Sequence, residues 1–363
     1  MKTLIALWAA LVGSTAFAAA SPAPVVVDPE GTALTLVAGH PSLAKWTMPK
    51  AIPSPADNPT TPQRVALGEK LFFDARLSIH GRTSCSSCHL PERGWADGVP
   101  RSLRFMGQPT PRNSQSVVNA GFSESAYNWD GKNKSLEQQA TGSQGFNGAT
   151  GGGAKEIGIE DPNLGIERIK GIAGYQELFA SAYPGEAITQ ASAGKAIAAF
   201  ERTLISRNTP FDRWVEGDAH AMTPSQVNGL RLFLDPAKGN CATCHAAPYF
   251  SDKGFHNVGL KQYGEPDADL GRYKVQAVEE LKGAFKTPGL REVEATAPYF
   301  HDGSVATLKE VVAHYARGGD VKTNLSPQIK PLPLTGEEQG DLVEFLRALS
   351  SPVGVYDRPV LPR

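Results

Sequence analysis

The sequence has no excess of charge of either sign, no long apolar run, and no cysteine outside two short motifs. Lys and Arg number 36 against 37 Asp and Glu, a formal net charge of -1. Without a basic run there is no electrostatic footprint for a nucleic-acid backbone, so nucleic-acid partners are set aside. The most apolar stretch opens the chain, "MKTLIALWAALVGSTAFAAASPAP", and Ser14 and Thr15 interrupt it before the roughly 18 apolar residues that spanning requires. One early Lys and small residues at A-x-A spacing (Ala16 and Ala18, or Ala18 and Ala20) instead read as a secretory signal over 1–20. Export to the periplasm and a mature protein without a membrane span are expected. With 40% hydrophobic and 20% charged residues, the 363-residue chain can form two separate cores.

Four cysteines in an exported protein could form two disulfides, but their positions argue otherwise. They fall in "CSSCH" at 85–89 and "CATCH" at 241–245, and both copies end in His. A dithiol redox site does not need that His, and structural zinc usually takes a second ligand pair about 12–20 residues away. C-x-x-C-H attaches haem covalently: Cys85 and Cys88, then Cys241 and Cys244, add to the vinyl groups, while His89 and His245 face the irons. Two c-type haems are therefore expected.

The expected fold is mainly α, two cytochrome c-like haem domains with an extended N-terminal arm. The arm covers 21–62, the haem domains 63–207 and 208–352, and a tail 353–363. The helical pattern of Ile197, Phe200 and Leu204 closes at Asn208, Pro210 and Asp212, which sets the boundary. "TPQRVALGEKLFF" begins at a Thr-Pro cap, and "TGEEQGDLVEFLRALSS" has Leu342, Phe345, Leu346 and Leu349 at helical spacing. No repeat is evident beyond the two motifs, and "GFNGATGGGAKEIG" at 145–158 reads as a loop.

Methionine is scarce where an electron carrier needs it. None follows His245, so the usual His–Met pairing is closed to the second domain unless Met222 reaches round. His256, His301, His314 and Tyr315 remain as candidates. In "ATLKEVVAHYARGG", Thr307 and Glu310 form a capping-box pattern and Gly318 and Gly319 end the helix. Leu308, Val311, Val312 and Tyr315 then share one buried face, with His314 about 100° round from it. Spacing alone leaves Tyr315 equally readable as a core tyrosine. In the first domain no His follows His89 until His220, and Met106 is a ligand candidate or simply a loop or core residue, so that iron reads as open.

Taken together, "LGEKLFFDARLS", "SCSSCHLPERGWADG", "RNSQSVVNAGF", "NWDGK", "CATCHAAPYFSDKGFHNVGL", "FKTPGLREVEATAPYFHDGSVATL" and "HYARGG" resemble the bacterial di-haem cytochrome c peroxidase and MauG family over roughly 63–350. The resemblance implies a peroxide-reactive haem in the first domain and an electron-transfer haem in the second. It implies Tyr315 as distal iron ligand where ordinary members have Met, as in MauG-like members. The distal His of ordinary members is missing from "SLRFMGQ", which implies reaction with peroxide without prior reduction unless Met106 has taken its place. Trp129 matches the tryptophan between the haems, Glu156 the distal acid and Gln139 a distal-pocket glutamine. Asn113, Thr296 and Pro298 match a Ca2+ site using oxygen ligands, and His256 and His301 match propionate or interface contacts. Hydrogen peroxide is the implied oxidant. The partner is a small cytochrome c, a copper protein or an oxidised protein substrate, and a homodimer stays open. A non-enzymatic di-haem electron carrier is the competing class.

Overall fold

The computed structural model of the chain describes residues 24–124, 126–142, 161–352 and 354–363. The expected signal, the Gly-rich run and Glu156 lie outside the described residues. The described elements are nine α-helices, short 3-10 turns and four strands of two or three residues, a mainly α architecture.

α1 (Pro62–Phe73) starts where the Thr61 side chain accepts the Arg64 N–H and Pro62 presets the first helical φ. It crosses α5 (Gln190–Glu201) at Gly68, where a Cβ would come within 1.9 Å of the Ala196 carbonyl oxygen. α2 (Leu136–Thr141) also lies on α5, and α3 (Leu164–Lys170) and α4 (Ala173–Ala182) complete this half. Leu71, Phe72, Ile169, Tyr175, Ile197 and Phe200 fill its core. The second half holds α6 (Pro210–Val215), α7 (Pro224–Leu234), α8 (Leu308–Ala316) and α9 (Gly336–Ala348). Thr307 with Glu310, and Thr335 with Glu338, cap α8 and α9 reciprocally. α7 crosses α9 at Gly229, whose Cβ would lie 2.0 Å from the Asp341 carbonyl oxygen.

The two crossings reveal a repeat that sequence inspection missed. "GEKLFFD" at 68–74 occupies α1 as "GLRLFLD" at 229–235 occupies α7, and "FERTLIS" at 200–206 corresponds to "FLRALSS" at 345–351. Phe72 meets Phe200 with ring centroids 5.4 Å apart, and Phe233 meets Phe345 at 5.1 Å. The matches are short and lie in amphipathic helices, where such patterns are common; shared packing makes them meaningful.

Two sequence expectations are corrected locally. The helix expected to run through Leu204 stops at Glu201, where the Thr203 hydroxyl donates to the freed Phe200 carbonyl. Pro210 starts α6 behind a Thr209 cap instead of ending a helix, since its missing N–H costs nothing at the first position.

The chain ends pack on opposite halves. β1 (Val25–Val27) pairs antiparallel with β2 (Ala33–Thr35), and Val26, Leu34, Leu43 and Trp46 join the second core. The C-terminal tail lies on the first half: Tyr356 packs on its core, Lys70 donates to the Val360 carbonyl and Arg76 to that of Pro362. Between the halves, Arg112 bridges Asp130 and Asp269, each at 2.6 Å. β3 (Phe255–His256) pairs with β4 (Phe285–Lys286), whose Lys286 N–H donates to the Trp129 carbonyl at 2.8 Å. No helix among the described residues is long and apolar enough to cross a membrane.

Candidate functional site

Each C-x-x-C-H motif forms a tight 3-10 turn, Cys85–Ser87 and Cys241–Thr243. The His89 N–H donates to the Cys85 carbonyl at 3.0 Å and that of His245 to Cys241 at 2.8 Å, so each His sits one turn beyond its first cysteine. His89 Nδ1 lies 3.1 Å from the Trp95 carbonyl oxygen, and His245 Nδ1 lies 2.8 Å from that of Phe250. A carbonyl only accepts, so Nδ1 carries the proton and Nε2 keeps its lone pair. Burial holds both imidazoles below their ordinary pKa, which keeps them neutral. A neutral imidazole oriented through its far nitrogen is the form that ligates metal.

All four cysteines are unpaired. Burial raises the Cys85 and Cys88 thiols and pushes Cys241 up to about 12. A reactive dithiol motif needs the opposite shift, which argues against the redox-disulfide reading.

Both motifs open on one cavity of about 570 Å³ between the halves, lined by Cys88, His89, Cys241, Cys244 and His245. Tyr315 lines it from α8, and Trp129 and Gln139 from the first half. The Trp129 indole N–H donates to the Asn113 carbonyl at 3.0 Å, and its ring meets His301 edge-on at 6.4 Å. Asn113, Thr296 and Pro298 also reach the cavity wall. Burial raises the Tyr315 phenol, with the charges of Cys244 and Cys241 adding to the effect. Such a phenol stays protonated unless a cation draws its proton off.

Of the remaining ligand candidates, His256 and His301 also line the cavity, whereas Met106, Met222 and His314 do not. Met106 is 58% exposed in a turn, and Met222 is buried in the second core. His314 is fully buried although it points away from the Tyr315 face, because the loop at Val258 covers that side and its carbonyl lies 2.8 Å from His314 Nε2. His256 is bonded to Asp252 at 2.7 Å, which with Cys244 raises it to about 10.

The cavity wall fits a dianionic macrocycle. His301 Nε2, Thr287 Oγ1, and Nε and Nη2 of Arg291 are buried there without a hydrogen-bond partner. Such polar atoms are costly to leave unmatched, and those that donate would be satisfied by propionates. Lys286 stands with them, its ammonium pulled down to about 8 by burial.

Sequence reasoning missed two further wall residues, Tyr127 and Glu201. Glu201 is 3% exposed with Oε2 unpartnered, and burial pushes its carboxyl up to about 8. Its signal was a carboxylate ending the otherwise small and apolar run "AIAAF" of α5.

Comparison with known proteins points to the same class of protein. A family model described as di-haem cytochrome c peroxidase matches residues 62–220, and one described as RoxA-like, cytochrome c-like matches 284–319. Methylamine utilization protein MauG of Methylorubrum extorquens is 38% identical over 327 residues, 88% of this chain and 87% of that protein. Cytochrome-c peroxidase IdrP1 of Denitromonas iodatirespirans is 39% identical over 342 residues, 86% of this chain and 88% of that one. The crystal structure of a MauG-like protein associated with microbial copper homeostasis superposes with a TM-score of 0.75 at 34% identity, over 84% of this chain and 95% of its own. The chain belongs to the di-haem cytochrome c peroxidase and MauG family. It is a di-haem peroxidase, an oxidoreductase built around two c-type haems.

Proposed function

We propose that hydrogen peroxide is taken up opposite His89, and that oxidising equivalents pass by way of Trp129 to the His245 and Tyr315 side. From there they are discharged on an aromatic residue of a protein partner in the periplasm. Bound haem would supply iron that reacts with peroxide and exchanges electrons. His89 would hold the first group. His245 and Tyr315 would hold the second. A phenolate ligand favours a higher oxidation state than a thioether does, so Tyr315 suits storage of an oxidising equivalent. Trp129, between the halves, offers an oxidisable indole. Gln139 orients peroxide from α2, and Glu156 moves a proton from its near oxygen to its far one. Asn113, Thr296 and Pro298 would supply oxygen ligands to Ca2+.

The observation that carries this reading is Tyr315 on the cavity wall beside the second motif, with Met106 exposed and Met222 buried in the second core. The test adds stoichiometric peroxide to the ferric protein without reductant. Prompt formation of a persistent two-electron-oxidised state is expected, together with a high-spin ferric signal in low-temperature magnetic resonance beforehand. In Tyr315→Met the first site still lacks a distal His, so peroxide should still be consumed, but the two-electron-oxidised state should no longer persist. Wild-type protein that waits for reduction, or shows two low-spin irons, would sink the proposal.

A further inference from the structure

The repeat places matching aromatic cages behind the two iron-facing histidines. Phe72 lies 6.3 Å from His89 at 45°, and Phe233 lies 6.5 Å from His245 at the same angle. Trp95 occupies the place of Phe250: it lies 5.8 Å from Phe72 and 6.0 Å from Phe200, as Phe250 lies 5.8 Å from Phe233 and 6.2 Å from Phe345. A terminal segment adds one more ring to each cage. Tyr356 meets Trp95 edge-on at 5.0 Å, and Trp46 meets Phe250 at 4.9 Å.

The rings differ in chemistry. Tryptophan and tyrosine give up one electron far more readily than phenylalanine. Behind His245 the immediate ring is Phe250, and Trp46 beyond it is 2% exposed. Behind His89 the immediate ring is Trp95, whose carbonyl also accepts the His89 Nδ1–H. Tyr356 beyond it is only half-buried, stacks on Phe73 at 5.5 Å and donates its hydroxyl to Glu69 Oε1 at 2.6 Å. A tyrosine loses its electron easily only when the phenol proton has somewhere to go, and Glu69 provides that acceptor.

We propose that Trp95 and Tyr356 form a one-electron relay between the His89 site and the protein surface. The relay rests on the proposal that peroxide reacts opposite His89. When that site is oxidised, one electron moves from Tyr356 through Trp95 toward His89, and the phenol proton moves to Glu69. This leaves a neutral tyrosyl radical and a protonated carboxyl. A one-electron donor of the small redox-protein class, docking over the tail, returns the electron, and Glu69 returns the proton. The second site, behind Phe250, has no such exit in its cage.

The test uses the holoprotein carrying ring-deuterated tyrosine, mixed with stoichiometric peroxide and freeze-quenched for paramagnetic resonance. Peroxide loss is measured in the same samples. A radical whose signal narrows on deuteration is expected in the wild type, with oxidative modification at Tyr356 by peptide mass spectrometry. Tyr356→Phe, which keeps the stacking ring, and Trp95→Phe, which keeps Tyr356, should each lower that signal at least tenfold with haem absorption unchanged. Glu69→Gln should slow its appearance. Peroxide loss with an undiminished tyrosyl signal in Tyr356→Phe, or with a signal that vanishes in Tyr249→Phe instead, overturns the relay. Absence of peroxide loss overturns the peroxide reading of the His89 site and the relay with it.

Discussion

The two halves share a scaffold down to the angle of the phenylalanine beside each histidine, yet differ at the positions where chemistry would be felt. In one corresponding pair, the first half has the buried carboxyl Glu201 where the second has Leu346, and both line the cavity. In the other, Trp95 stands where the second half has Phe250. At these two positions the duplicated frame gives the first site a protonatable and an oxidisable side chain where the second has hydrocarbon. These substitutions distinguish the two sites more than the attachment motifs do, which are nearly alike.

Exchanging the carboxyl is the strongest way to break this contrast. Glu201 has a folded pKa of about 8 against an ordinary 4.5, mainly from desolvation, so the folded protein binds its proton more tightly than the unfolded chain does. Below about pH 4.5 the group is protonated in both states and costs nothing in ionisation; stability falls as pH rises toward 8 and levels off above it. Glu201→Leu should remove that slope. At roughly 1.4 kcal/mol per pKa unit, the gain at pH 9 relative to pH 4 is at most a few kcal/mol. Thermal unfolding of both proteins across that range measures it, and parallel curves would mean that Glu201 is ionised or solvated in the folded protein.

The helix crossings sharpen what the halves have in common. Gly68 and Gly229 each face a backbone carbonyl, at 1.9 and 2.0 Å from where a Cβ would stand. Carbonyls in helices cannot swing aside, so Gly68→Ala and Gly229→Ala should each destabilise by about 1–3 kcal/mol. Denaturant unfolding should show similar losses for the two. A loss in one alone would show that the crossings do not bear equal load.

Much of this organisation was legible in the sequence. The two C-x-x-C-H turns were legible because their pattern is local, and Thr61 and Thr307 marked helix starts because capping is local too. The Tyr315 face followed from helical period. Illegible were the features that arise only when distant segments meet. Glu201 carries no local sign of burial beyond its place at the end of an apolar helix, and only packing around α5 and the cavity makes it buried. His314 is covered by a loop some 56 residues earlier in the chain. Tyr356 lies in a tail with no periodicity, and its partners Glu69 and Trp95 are more than 250 residues away in sequence.

The smallest effect concerns how the two terminal segments are held. The N-terminal arm inserts Val26, Leu34, Leu43 and Trp46 into the second core, whereas the tail reaches the first half through one aromatic ring and several polar contacts. Among these, Arg358 meets Glu92 at 3.1 Å with both side chains about half exposed. Exposed ion pairs contribute roughly 0–1 kcal/mol and weaken with salt. Arg358→Ala should therefore lower stability by less than about 1 kcal/mol, and less still in molar salt, where the Debye length falls to about 3 Å. Tyr356→Leu, which removes the stacked ring and its bond to Glu69, should cost more and be insensitive to salt. Hydrogen exchange of the 354–363 amides reads both directly. Exchange accelerated more by Arg358→Ala than by Tyr356→Leu would show that charge rather than the aromatic stack seats Tyr356 beside Trp95.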